Sequence, residues 1–331
     1  MRKLDLRTGK PVWTSYRSPR VPEERLTRDL RTQVLIVGAG ISGAMTADLL
    51  SEAGHDVVMI DRRGPSLGST PATTALVQFE IDVPLTRLRR TMGVEKATRA
   101  WRRARLAVTN LRGRIEELQI PCRMSDRQTL YLAGNVLSGG NLRNEAEMRA
   151  AAGLSARYLT AGELKSGFGI DRQGAILSDG NLALDPVRLT TGLLLRSLQR
   201  GARLFAPEEA VEIRHHRGSV EVATRSGYRI EARHVVLATG YELLDDVANE
   251  RHEIISTWAL ATRRQPKEKL WPGGALIWEA SDPYLYMRTT HDGRVICGGE
   301  DEAFVDEASR DALLPQKVRR IAEKLGKLLP S

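Results

Sequence analysis

Val34, Leu35, Ile36 and Val37 form an unbroken apolar run that stops at Gly38, and from there Ile41, Ala44, Met45, Ala47, Leu50 and Ala53 recur at helical spacing until Gly54. Residues 57–60 are a second unbroken run. Short continuous runs suit strands buried on both faces, and spacings of three and four suit one face of a helix. The pattern predicts strand, glycine-rich turn, helix, strand, which is a right-handed crossover between parallel neighbours. Further on, Asp185 is placed to cap a helix with Pro186 in its first turn, Leu189, Leu193 and Leu198 on its buried face and Gly201 at its end. Alternating runs at 211–213, 220–222 and 228–232, separated by Gly218 and Gly227, predict a β-meander leading into a further buried strand that ends at Gly240.

A second texture surrounds this core. Residues 128–133, 254–263, 275–279, 284–290 and 294–298 read as strands of another, mostly antiparallel sheet, with Asp292-Gly293 suited to a tight hairpin. Leu314, Val318, Ile321, Leu325 and Leu328 mark a final amphipathic helix. The expected fold class is α/β: a Rossmann-like dinucleotide domain with a β-meander, and an interleaved α+β substrate domain. The expected boundaries are an arm at 1–31, a discontinuous nucleotide domain at 32–84 and 181–242, a substrate domain at 85–180 and 243–304, and a helix at 305–331.

Composition narrows the class. With 331 residues, 41% of them apolar, the chain buries a sizeable core, which excludes a disordered chain or a small disulfide scaffold. Cys122 and Cys297 lack paired spacing, and no apolar run reaches the ~20 residues that span a bilayer. The polar opening contains no signal-like block, so the expected location is cytoplasmic. A net charge of +9 raises the question of an anionic partner. Ten basic residues fall between Arg87 and Arg114, but Ala97, Trp101, Ala104, Val108, Leu111 and Ile115 run through the same stretch at helical spacing. That describes a solvated basic helix face, and nucleic acid is not expected as a partner.

The sharpest chemical signal is Gly38-Ala39-Gly40-Ile41-Ser42-Gly43 between the first strand and its helix. In a G-x-G-x-x-G turn the first glycine permits the tight bend, the second admits a pyrophosphate to the backbone and the third lets the helix pack on its strand. Asp61, 23 residues after Gly38, ends the second strand, where a carboxylate accepts ribose hydroxyls. Arg62 and Arg63 could take a 2′-phosphate, whereas Asp61 would repel it, so the acid argues against NADP.

The meander followed by Ala238-Thr239-Gly240 makes the chain resemble the FAD-binding domain of the D-amino-acid oxidase superfamily. Gly68-Ser69-Thr70 and Ala75 lie where that family places a loop beside the flavin, and residues 185–206 are similar to its helix-strand unit. The resemblance implies FAD as cofactor, held by Gly38, Ala39, Gly40, Ile41, Ser42, Gly43, Asp61, Arg62, Arg63, Ser69, Thr70, Ala75, Val211, Thr239 and Gly240. The segments Trp278-Glu-Ala-Ser-Asp-Pro-Tyr284 and Gly298-Gly-Glu-Asp301 resemble the branch of glycine, sarcosine and γ-glutamylputrescine oxidases. The implied reaction is hydride transfer from the α-carbon of a neutral amine or amino acid to flavin N5. The imine is then hydrolysed, and O₂ or an electron carrier serves as acceptor.

On the substrate side, alternation puts Tyr284, Tyr286 and Arg288 on one strand face. Arg288 is the candidate carboxylate clamp, with a solvent-facing ion pair to Glu279 or Asp282 as the plainer reading. Glu300 is a candidate for tuning the amine's protonation, or else a solvated hairpin acid. His215 and His216 read as exposed loop residues. Members of the family continue past the position of Pro330 into a strand, a D-G-x-P-type segment and a glycine-rich loop, for which residues 1–331 offer no counterpart. The alternative to an amine oxidoreductase is therefore a catalytically incomplete flavoprotein or a basic nucleic-acid-associated module.

Overall fold

The computed structural model describes residues 4–242 and 253–329. It divides into two compact units: 1–73 with 118–122 and 185–253, and 74–117 with 123–184 and 254–331.

The first unit is built on a six-stranded sheet. Its centre is the strand Leu30–Val37, parallel on one side to Val57–Ile60 and on the other to Arg229–Leu237. Arg203–Phe205 extends the parallel part beyond Val57–Ile60. Ser219–Thr224 and Ala210–His216 continue antiparallel beyond Arg229–Leu237. The apolar runs are where the pattern put them: Leu35, Ile36, Val58 and Ile60 are fully enclosed. The helix Ile41–Glu52 forms the crossover, and the helix Pro186–Gln199 starts where Asp185 Oδ1 accepts from the Val187 and Arg188 N–H groups. Residues 228–240, expected as two strands, contain a single strand, Arg229–Leu237. No glycine or proline interrupts it, so its first half closes the meander while the whole of it flanks Leu30–Val37.

The expected arm at 1–31 belongs to this unit rather than lying beside it. Trp13 is buried, and its indole N–H donates to the Thr73 carbonyl at 2.7 Å. Glu24 bridges to Phe205 in parallel. Residues 118–122 also join the unit, where Ile120 packs against Gly192 so closely that a Cβ there would lie 2.4 Å from an Ile120 methyl.

The second unit carries an eight-stranded sheet, mostly antiparallel. Ser256–Ala261, Val295–Glu302, Leu285–Thr289 and Leu276–Glu279 lie in that order, and Leu276–Glu279 runs parallel to Ser125–Leu132. The central strand Gly174–Ala183 is absent from the pattern reading because Ser-Asp-Gly-Asn resembles a turn. In the structure that sequence is an irregularity in register opposite Arg127 and Thr129, and Gly180 takes a φ of +90° with the Arg105 guanidinium against it. Residues 74–84 and 181–184, expected in the nucleotide domain, fall here because Leu76–Val77 pairs with Leu182 and Ala183. The terminal helix Glu307–Leu328 also belongs here, with Ile321 and Leu328 in the core that holds Trp258, Met287 and Cys297.

The basic stretch forms two helices, Leu85–Met92 and Val94–Glu117, divided at Gly93 with a φ of +87°. Ala97, Trp101, Val108 and Ile115 are its buried side, while Arg99, Arg112 and Arg114 pair with acids outside it. No described helix is long and apolar enough to cross a membrane. Among the described residues no cluster of His, Cys, Asp and Glu is arranged to hold a metal ion.

Candidate functional site

In the first unit, a groove runs over the glycine-rich turn. Gly38 has a φ of +114°, and a Cβ on it would lie 2.4 Å from the Ala238 carbonyl oxygen. Only glycine permits that approach between the turn and the neighbouring strand end. A Cβ on Gly43 would lie 1.9 Å from the Gly38 carbonyl oxygen, so the helix sits directly on its turn. Gly40 differs: a Cβ there would meet only the Thr70 hydroxyl, at 3.1 Å. That glycine faces the groove, and the helix behind it has no capping side chain at Gly40 and no acid in its first turn. Such a helix start attracts an anion through its N–H groups and dipole.

Thr70 Oγ1 accepts from the Ile41 N–H at 3.1 Å, bringing the loop 68–70 onto the turn. Ser69, Thr239 and Gly240 line the same groove, together with Ile41, Ser42 and Asp61. Asp61 Oδ1 accepts from the Arg63 and Gly64 N–H groups and Oδ2 from that of Ala39. A carboxylate has about four acceptor positions, so one on Oδ2 is left for a ribose hydroxyl. A pyrophosphate at Gly40 and a ribose at Asp61 are what the adenosine end of FAD requires, and the residues present fit it.

Arg62 and Arg63 have partners of their own. Arg62 pairs with Glu242 and, at 3.4 Å, with Glu209. Arg63 holds both Glu242 oxygens, at 2.6 and 2.5 Å. Burial alone would raise the Glu242 carboxyl, but hydrogen bonds from Arg63, Arg62 and the Leu4 N–H hold it down at about 2. Both guanidiniums are thus neutralised from within, which removes the 2′-phosphate role weighed for them. Since Glu242 titrates lower folded than unfolded, its contribution is complete above about pH 4.5 and disappears as the pH falls toward about 2. Glu242→Gln is accordingly expected to lower the melting temperature at neutral pH, and the gap from the parent should narrow in melts taken at about pH 3.

Leu4, Leu6 and Arg7 were not legible as site residues. Leu4 donates to Glu242 at 2.7 Å and accepts from Arg63, Leu6 lines the groove, and Arg7 donates to the Gly68 carbonyl at 2.8 Å. Glu208, Glu209 and Ala210 form the wall where Val211 was expected, and Val211 itself is exposed. Along Ala210–His216 side chains alternate, so a one-residue shift turns Val211 outward. Ala75 is not part of this groove. It belongs to the second unit, where its carbonyl accepts from Arg288.

In the second unit the four candidate substrate residues, Tyr284, Tyr286, Arg288 and Glu300, do not form one cluster. Arg288 is buried, and its guanidinium donates to the carbonyls of Ala75 at 2.6 Å, Leu184 at 3.0 Å and Thr289 at 3.2 Å. It braces backbone, so neither the carboxylate clamp nor the solvent-facing ion pair describes it. Glu279, its expected surface partner, pairs instead with Arg172 at 3.1 Å. Glu300 is also buried, with a φ of +63°, at the register shift between Val295–Glu302 and Ser256–Ala261. That backbone directs it to Lys317 and Arg320, each at 3.7 Å, and to Lys324 on the terminal helix. Burial opposes its charge, but these lysines hold its carboxyl below the usual range. Its place is structural rather than solvated or substrate-facing. Tyr284 and Tyr286 do line a cavity together, of about 210 Å³, with Gln78, Glu80, Asp82 and Trp278. His215 and His216 are exposed, as expected.

The gamma-glutamylputrescine oxidoreductase of Escherichia coli (strain K12) is 24% identical over 318 residues, covering 93% of this chain and 72% of its own. The curated relatives that match are spanned to 42%, 66% and 72% of their length. Among solved structures, L-proline dehydrogenase from P. horikoshii aligns with a TM-score of 0.72 at 18% identity, over 91% of this chain and 78% of that one. Glycine oxidase from Bacillus cereus ATCC 14579 aligns with a TM-score of 0.66 at 18% identity, over 90% and 78%. These likenesses agree in fold with the two sheets described above. The match of residues 33–331 to the FAD dependent oxidoreductase (DAO) family covers the crossover, the meander and the second sheet, and the chain belongs to that family.

Proposed function

We propose that the chain oxidises a primary or secondary amine, or an amino acid, by passing a hydride from the α-carbon to bound FAD, the imine being hydrolysed and O₂ or an electron carrier accepting the electrons. The observation that carries the reading is the groove at Gly40: open where a pyrophosphate sits, backed by an uncapped helix start and flanked by an Asp61 oxygen with acceptor capacity left. Bound FAD would supply the hydride acceptor, so no side-chain nucleophile is needed.

The protein's own contribution is binding and exclusion. The first-turn N–H groups and Gly40 would meet the pyrophosphate, Asp61 Oδ2 would accept from the ribose, and Glu209 and Glu242 keep Arg62 and Arg63 from recruiting a 2′-phosphate. The substrate has to be held as its neutral amine when it reacts, because an ammonium has no lone pair to assist loss of the hydride.

Titration of the purified chain with FAD tests this. The expected result is a yellow one-to-one complex with quenched flavin fluorescence, bleached anaerobically by an amine and recoloured by O₂ or a dye acceptor. A protein that stays colourless after reconstitution would refute the reading. Of the basic residues on the two helices, Arg99, Arg112 and Arg114 pair with neighbouring acids, so part of the charge behind the nucleic-acid alternative is neutralised within the fold.

A further inference from the structure

We propose that the cavity lined by Glu80, Asp82, Trp278, Tyr284 and Tyr286 is a cation site that receives a primary alkylammonium without an α-carboxylate, with Glu80 as its counter-ion. The inference rests on the oxidoreductase reading for the fate of the amine, though not for its binding.

Glu80 is only 6% exposed. One of its oxygens is fixed: Oε1 accepts from the Thr129 hydroxyl and from Asn181 Nδ2 at 3.4 Å, and Asn181 is itself anchored by accepting from the Phe79 N–H at 2.9 Å. The other oxygen, Oε2, makes no hydrogen bond, although the likewise unpaired Ser178 hydroxyl favours the Glu80 carboxylate, and Gln78 Oε1 on the same wall has no partner either. Leaving such acceptors buried and unmade is costly, and more so for a charged group. A donor-rich ligand of positive charge satisfies both.

The electrostatics agree. Burial holds Glu80 and Asp82 above the usual carboxylate range, and the neighbouring Asp301 adds to the shift of Asp82. Burial, with Asp82 and Asp301, also raises the Tyr284 hydroxyl well above its ordinary value. Each of these shifts is relieved by a cation. The positive group that Glu80 does feel is Arg149. It donates to Glu145 at 2.7 Å and lies over the rings of Trp101 and Tyr131, outside the cavity lining.

The same wall disfavours a carboxylate. Among the described residues no lysine or arginine lines the cavity, and Arg288 donates to backbone carbonyls. Trp278 Nε1 is the orphan donor there, and neutral tyrosine hydroxyls add to it. An α-amino acid would have to set its carboxylate beside Glu80 and Asp82 against neutral donors only, and like charges at that range repel. An alkylamine brings the ammonium alone, and its chain meets the aromatic faces of Trp278 and Tyr284.

Calorimetric titration of the FAD-reconstituted chain with n-butylamine and with glycine tests the proposal. The amine is expected to bind at least tenfold tighter than glycine. Glu80→Gln keeps the shape and should weaken amine binding at least tenfold while leaving the FAD titration unchanged. Glycine binding as tight as the amine's, or a Glu80→Gln variant with parental affinity, would overturn it. If Glu80→Gln does not fold, the parent's preference and a weakened Asp82→Asn variant decide the matter, and parental affinity in the latter counts against it. FAD uptake without amine binding sinks this inference alone. Glu80-dependent amine binding without FAD uptake sinks the oxidoreductase reading instead.

Discussion

Gly43→Ala is expected to destroy cooperative folding of the first unit. The added Cβ would stand 1.9 Å from the Gly38 carbonyl oxygen and 3.0 Å from its carbon, both backbone atoms that cannot rotate aside. The turn cannot retreat either, because Gly38 already lies against the Ala238 carbonyl and its N–H donates to Ile60 at 2.8 Å. Relief requires lifting the helix Ile41–Glu52 from the sheet, uncovering Ala44 and Ala47, or parting the parallel strands. The cost should exceed about 4 kcal/mol, at the extreme for one methyl group. Urea unfolding followed by circular dichroism would show it, and a variant within about 0.5 kcal/mol of the parent would mean that the helix packs elsewhere.

Gly40→Val should do the reverse, leaving the fold and removing the cofactor. The new Cβ meets a single side-chain atom, Thr70 Oγ1, at 3.1 Å, and Gly40 has a φ of −80°, which valine adopts without strain. Its methyl groups would fill the space over the helix start that a pyrophosphate needs. Uptake of FAD, read by flavin absorbance after reconstitution, should fall about a hundredfold or more, a loss on the order of 3 kcal/mol. The melting temperature should stay within a few degrees of the parent's. Equal flavin occupancy in the two proteins would show that the site is elsewhere. Set side by side, the two glycine variants separate the packing role of the turn from its binding role.

The crossover was legible because each of its constraints is local. The run 34–37, the spacing of Ile41, Ala44 and Ala47, and Asp61 at the next strand end all follow from periodicity and turn chemistry. The hairpin at Asp292-Gly293 and the cap at Asp185 were legible for the same reason. What escaped depends on long-range pairing. Gly174–Ala183 carries a turn-like sequence inside a strand, and only its neighbours on both sides hold it extended. Arg288 and Glu300 were placed on plausible strands, but pattern alone does not say which buried partner a long side chain finds. The first found carbonyls of Ala75 and Leu184, the second lysines 17 and 24 residues further along, on the terminal helix. Glu80 gave no signal, since one acid between Phe79 and Ile81 looks like the solvent side of an alternating strand. Val211 shows how a single step of register separates a lining residue from an exposed one.

The rim formed by Leu4, Leu6 and Arg7 has a practical consequence. These residues reach the groove through Glu242, through an apolar side chain and through the Gly68 carbonyl. Purification tags joined close ahead of Leu4 are therefore expected to lower flavin retention. Preparations that differ only in their amino-terminal leader should differ in colour.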